Sequence, residues 1–201
     1  MNNRTATIDR QTRETTIRGS LTLDGDRQIK IETGIGYLDH MLTSLAFHAR
    51  WDLDLECSGD LDVDDHHTAE DCALALGDAI DRALGERAGI VRFGWAYVPL
   101  DEALARAVVD LSGRPWPEVA LGLEREQLGT LATENVTHFF VSLAMSMKAA
   151  VHIDVLRGDN DHHRAEAAFK ALARALEAAT ALAAGGSVPS TKGTLNMDGE
   201  S

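Results

Sequence analysis

Asp65-His66-His67-Thr68-Ala69-Glu70 recurs 96 residues further on as Asp161-His162-His163-Arg164-Ala165-Glu166 (His66 against His162). A second match has nearly the same offset. His40 followed by Ser44-Leu45-Ala46 corresponds to His138 followed by Ser142-Leu143-Ala144, 98 residues apart. Alanine and leucine coincide by chance between two alanine-rich helices, but a repeated His-His-x-x-Glu block does not. Two matches in one order therefore read as an internal duplication.

The surrounding elements follow the same order twice. Thr5–Ile8, Glu14–Leu23 and Gln28–Thr33 are short, β-branched and partly alternating, which predicts strands, with Asp24-Gly25-Asp26 as a turn. Tyr37–His48 has helical spacing, Trp51–Glu56 alternates, and an alanine- and leucine-rich helix is predicted from His66 to Leu84. In the second half, Val91–Leu100, Leu104–Leu111 and Glu118–Leu121 are predicted strands and Thr133–Met147 a helix. Ala150–Val155 is a strand, and His162–Ala183 a helix ended by Gly185-Gly186. The expectation is an α/β (α+β) fold of two duplicated half-domains, about 1–88 and 89–185, with a tail over 186–201.

The 201 residues suit one domain and can bury a core without disulfides. Nineteen Lys+Arg against 32 Asp+Glu leave a net charge of −13, which disfavours nucleic acid or an anionic membrane as partner. Apolar residues at 44% exclude full disorder, and no run reaches the roughly 18 apolar residues of a membrane span. The start, MNNRTATIDR, lacks the apolar core of a secretion signal, and two cysteines, Cys57 and Cys72, suit a reducing cytoplasm.

Six of the eight histidines fall in the repeat. Residues four apart share a helix face, so His66 with Glu70, and His162 with Glu166, can each reach one ion. His67 and His163 lie about 100° further round the helix and address different ions. With His40 and His138, the set suffices for two sites of three imidazoles and one carboxylate. Which lone histidine joins which site is open at this level. Nitrogen and carboxylate ligands without thiolate suit manganese, iron, zinc or nickel, and open positions for a chelating substrate favour manganese or iron. Asp39, Asp65, Asp71 and Asp161 are expected either to orient imidazoles or to cap helices and meet solvent. Two rival classes fit less well. A dinuclear phosphoester hydrolase would show more aspartates, and a four-helix-bundle carboxylate protein fewer strands and histidines.

Leu38-Asp39-His40-Met41-Leu42, Asp64-Asp65-His66-His67-Thr68-Ala69-Glu70-Asp71, Gly158-Asp159-Asn160-Asp161-His162-His163-Arg164-Ala165-Glu166 and Pro189-Ser190-Thr191-Lys192-Gly193 resemble the imidazoleglycerol-phosphate dehydratase family in its monofunctional form. The resemblance runs from about Arg4 to Met197. It implies two half-domains, each a four-stranded sheet backed by two helices. It implies two manganese ions per subunit, held between subunits by His40, His66, His67, Glu70, His138, His162, His163 and Glu166. It also implies a 24-subunit assembly built from trimers. The implied reaction is the dehydration of D-erythro-imidazole-glycerol phosphate in histidine biosynthesis. Glu14 would be the general acid/base, with His67 and His163 in the catalytic set. Glu14, His40, His48, Arg92, Arg114, Lys170, Ser190 and Lys192 would contact substrate.

Overall fold

Alternation of buried and exposed residues shapes the first sheet. In the computed structural model, which describes residues 4–183 and 189–190, strands β1 (Thr5–Gln11), β2 (Thr15–Thr22), β3 (Ile29–Glu32) and β4 (Asp52–Gly59) lie in the order β1-β2-β4-β3. Ala6, Ile8, Ile17, Leu21, Leu53, Leu55 and Cys57 point inward. β3 and β4 are parallel, so the chain must cross over between them, and helix α1 (Gly36–Ala49) makes that crossing. Helix α2 (His66–Leu84) then covers β1 and β2.

The second half repeats this layout. Strands β5 (Phe93–Leu100), β6 (Ala103–Asp110), β7 (Trp116–Ala120) and β10 (Ala150–Arg157) form a sheet in the order β5-β6-β10-β7. Helix α3 (Thr133–Ser146) carries the crossover between the parallel strands β7 and β10, and α4 (Asp161–Thr180) covers β5 and β6. The duplicated, four-strands-and-two-helices architecture expected from the repeat is therefore present. A two-stranded ribbon, β8 (Gln127–Leu128) with β9 (Leu131–Ala132), interrupts the second half before α3. It has no counterpart in the first half, and strands of two residues are too short to register as alternation.

The halves meet helix to helix, with α1 against α4 and α2 against α3, so all four helices lie between the sheets. Two glycines set the close approaches. A Cβ on Gly94 of β5 would fall 1.9 Å from the Ala175 carbonyl oxygen of α4. One on Gly77 of α2 would fall 2.8 Å from the Leu143 carbonyl oxygen of α3. Small residues continue this fit: Ala103, Ala105 and Ala107 of β6 and Ala168, Ala171 and Ala175 of α4 are fully buried. Arg87 is buried with them. It donates to Asp81 and to the carbonyls of Met147 and Lys148, fastening the end of α2 to that of α3.

One boundary differs from expectation. Helix α4 ends at Thr180 rather than near Ala183. The chain turns extended at Ala181 because Leu182 bridges Ile90, while Val91 and Arg92 donate to the carbonyls of Ala181 and Ala179. Strand pairing, rather than glycine, stops the helix; Gly185 and Gly186 lie outside the described residues.

The outer faces of the sheets differ in character. Thr7, Asp9, Arg18, Asp54 and Glu56 line the first. The second carries exposed Phe93, Trp95, Tyr97, Val108 and Trp116, with Trp95 65% and Trp116 63% accessible.

Candidate metal centre

The helix pairing decides the partition that the repeat leaves open. His40 on α1 joins His162 and Glu166 on α4; His138 on α3 joins His66 and Glu70 on α2. Within each trio the ligand atoms lie within 4.8 Å of one another. Each cluster thus combines the lone histidine of one half with the His/Glu pair of the other, inside a single chain. Candidate ligands from both halves thus come together within one chain.

In the first cluster His40 Nε2 is 3.5 Å and His162 Nε2 3.1 Å from Glu166 Oε2. Burial alone would raise the Glu166 carboxyl, but Lys170, 2.7 Å away, together with His40 and His162, holds it below the usual carboxylate range. In the second, His138 Nε2 lies 3.1 Å from Glu70 Oε1 and His66 Nε2 3.8 Å from Glu70 Oε2. The rings of His66 and His138 stack at 4.9 Å. Imidazole nitrogens converging on a carboxylate form a donor set for a divalent ion that favours nitrogen and oxygen.

Neighbouring side chains aim these rings. His66 Nδ1 is 2.9 Å from the amide oxygen of buried Asn135, which leaves Nε2 facing Glu70. By the repeat offset, Asn135 corresponds to Tyr37, and Tyr37 packs edge-on against His162 at 5.3 Å. Burial raises the Tyr37 phenol, with the Glu166 carboxylate adding to the effect. Both supports stand three residues before a lone histidine, a signal the repeat register carried and the motif search missed.

His67 and His163 stay outside both clusters. His67 Nδ1 is 3.0 Å from Asp60 Oδ2, and His163 Nδ1 is 2.8 Å from Glu102 Oε2. These hydrogen bonds raise both imidazoles above their usual range. In return, His163 and the backbone amide of Asn160 bring the Glu102 carboxyl down to about 2. Asp60 and Glu102 belong to no motif and were not anticipated.

The four flanking aspartates take neither expected role: none is seen to bond an imidazole or to cap its own helix, and Asp71 and Asp161 are buried. Asp39 accepts from Thr33, Asp65 from the Ala132 amide, and Asp71 from Arg10 and Thr15. Asp161 accepts from the amides of Glu124 and Arg125. The helix starts are capped instead by Asp64, which accepts from the His66 amide, and by Asn160, which accepts from the His162 amide.

Of the remaining candidates, His48 and Lys170 share one region. Burial lowers the His48 imidazole first, and the nearby charges of Lys170 and Arg174 lower it further. Glu14 stands at the β1–β2 hairpin tip, near enough for its charge to act on His67. Arg92 is held by Asp110 and donates to the Pro189 carbonyl at 2.8 Å, which places Ser190 beside it. Arg114 is exposed on the loop before β7, and Lys192 lies outside the described residues.

Residues 33–176 match the sequence model for imidazoleglycerol-phosphate dehydratase. The chain belongs to the imidazoleglycerol-phosphate dehydratase family. Among relatives in this family, that of Phytophthora nicotianae is 59% identical over 192 residues, which are 96% of this chain and 42% of that protein. That of Neurospora crassa is 52% identical over 96% of both chains. The crystal structure of the dehydratase from Staphylococcus aureus superposes with a TM-score of 0.80 at 38% identity, covering 88% of this chain and 99% of that one. Among the described residues, no helix of this family member is long and apolar enough to cross a membrane.

Proposed function

We propose that the chain is a hydro-lyase of histidine biosynthesis that removes water from D-erythro-imidazole-glycerol phosphate to give imidazole-acetol phosphate, with two divalent ions, manganese by preference, as cofactors. The observation that carries this reading is the pair of cross-half His/Glu clusters in a member of this family. The donor chemistry fits the ion: neutral imidazoles and carboxylates, with no thiolate among them. His40, His162 and Glu166 would hold one ion and His66, His138 and Glu70 the other. His67 and His163 would complete the sites of neighbouring copies. A bound divalent ion supplies Lewis acidity to the substrate's imidazole ring and hydroxyl.

The chain's own groups must do the rest. The proton to be lost sits on carbon with no carbonyl beside it, so a positioned acid/base is needed, and we assign that role to Glu14. The phosphate needs local cations in a protein of net charge −13. We assign it to Arg92, Arg114, Ser190 and Lys192, with His48 and Lys170 contacting the substrate nearer the His40 cluster. Asp110 fixes Arg92, so the guanidinium is oriented before a phosphate arrives.

We read the chain as one domain of two repeats, about 1–88 and 89–185, acting in the cytoplasm. Two buried cysteines without a disulfide suit that compartment. Membership of the family carries the expectation of a 24-subunit, trimer-built particle, and the aromatic outer face of the second sheet supports contact between copies.

Incubation of manganese-loaded protein with imidazole-glycerol phosphate tests the activity. Ketone formed without free phosphate is the expected result. Free phosphate would indicate hydrolysis, and no turnover would remove the assignment.

A further inference from the structure

The duplication places a glutamate at the same point in each half. Glu14 immediately precedes β2 at the tip of the β1–β2 hairpin, and Glu102 immediately precedes β6 at the tip of the β5–β6 hairpin. Their surroundings differ. Glu102 Oε2 meets His163 Nδ1 at 2.8 Å, while Oε1 accepts from the backbone amides of Asn160 at 2.9 Å and Asp159 at 3.2 Å. One carboxylate therefore ties the imidazole to the loop that leads into α4. No hydrogen bond or ion pair holds the Glu14 carboxylate among the described residues, and its backbone amide donates to Thr12. In the first half the bond to the imidazole comes from elsewhere: Asp60, just beyond β4, meets His67 Nδ1 at 3.0 Å.

We propose that Glu102 and Asp60 are positioning residues, which fix the ring orientation and tautomer of His163 and His67 so that each Nε2 faces away from its own chain as a ready ligand. Asp60 relieves Glu14 of the task that its counterpart Glu102 performs, which keeps the Glu14 carboxylate available for proton transfer. The proposal rests on the reading that His67 and His163 bind an ion.

Three features support it. A neutral imidazole that donates from Nδ1 to a carboxylate presents the Nε2 lone pair on its far side. His163 Nε2 lies 3.8 Å from the exposed Asp101 carboxylate, beyond hydrogen-bond reach. A cavity of about 580 Å³ opens over the same ring, lined by Glu102, Glu124, Arg125, Asp159, Asn160 and His163.

Manganese binding to the full-length protein, followed by titration calorimetry and by electron paramagnetic resonance of free ion, is the test. Glu102→Ala and Asp60→Ala should each weaken manganese affinity about 10- to 100-fold, the usual effect of removing a group that orients a metal-bound histidine. Glu102→Gln keeps one acceptor oxygen for the loop amides, removes the charge and turns a donor NH2 toward His163 Nδ1 in place of the accepting oxygen. It should weaken affinity about threefold or more with an unchanged circular dichroism spectrum. A loss under about threefold in Glu102→Gln and in Asp60→Asn would overturn the positioning role. His163→Ala is the separate control. If it binds manganese with wild-type affinity and stoichiometry, the metal reading itself is wrong, whatever the carboxylate variants do.

Discussion

His40 Nε2 lies 3.5 Å from Glu166 although the two residues belong to opposite halves of the duplication. The equivalent contact, His138 to Glu70, is 3.1 Å. Each lone histidine therefore serves one cluster and not the other. Replacing His40 with alanine should remove one bound ion per chain and spare the second, and His138→Ala should do the reverse. Metal content per chain after desalting, with the double variant as reference, measures this. If both ions persisted in His40→Ala, the partition drawn from the helix pairing would be wrong.

Glu14→Gln tests the acid/base assignment. Among the described residues no hydrogen bond or ion pair holds the carboxylate, so the variant should fold normally and bind substrate with little change in KM. Loss of a positioned proton carrier should lower kcat by about 100- to 10,000-fold. A kcat within tenfold of the parent would exclude Glu14 from the chemistry.

Acid should strip the metal, and the sign follows from the bonds at His67 and His163. Asp60 and Glu102 raise these imidazoles in the metal-free protein. A group raised on folding contributes stability that is complete below its unfolded value, about 6.5, and is lost as pH rises through the folded value. The ion needs the neutral ring, so protons already compete with it above about pH 6.5. Glu102 is the opposite case: its contribution is present above the ordinary carboxylate range and lost as pH falls toward about 2. Melting curves with and without manganese should show the metal-dependent gain in Tm shrinking between about pH 8 and pH 5. A gain that stayed constant over this window would argue against imidazole ligation.

Gly94→Ala should destabilise the second half. Its Cβ would collide with the Ala175 carbonyl, a backbone atom of a packed helix that cannot swing aside. Overpacking of this kind costs about 1–3 kcal/mol and occasionally more, and a backbone collision falls at the upper end. Because α4 carries both His162 and Glu166, a displaced helix should also weaken ion binding at the His40 cluster more than at the His138 cluster. Urea unfolding of the metal-free variant and metal titration separate the two effects.

The repeated His-His-x-x-Glu block made the duplication readable, and β-branched alternation located both sheets, because these signals are local to one strand or helix. The assignment of His40 to Glu166 was not readable, since it depends on α1 packing against α4 rather than α2, a long-range choice that no local spacing carries. Asn135, Asp60 and Glu102 escaped notice for a related reason. Asn135 and Glu102 act on rings 69 and 61 residues away, Asp60 sits on a loop seven residues before His67, and single polar residues on loops or helix faces carry no spacing of their own. The end of α4 was misplaced because the pairing of Leu182 with Ile90 overrides the helical pattern of an alanine-rich stretch.

The reciprocal exchange between helices, in which each half lends the other one imidazole, is the geometry of a two-fold symmetric dimer drawn through a single polypeptide. A half-length ancestor pairing with itself would have built two identical centres. Once tethered in one chain, the copies no longer had to remain alike. One hairpin glutamate could settle against a ring while its twin was released, and one outer sheet could turn aromatic while the other stayed polar. Covalent linkage of the halves thus permits asymmetry between two centres that a two-fold rotation would otherwise keep identical.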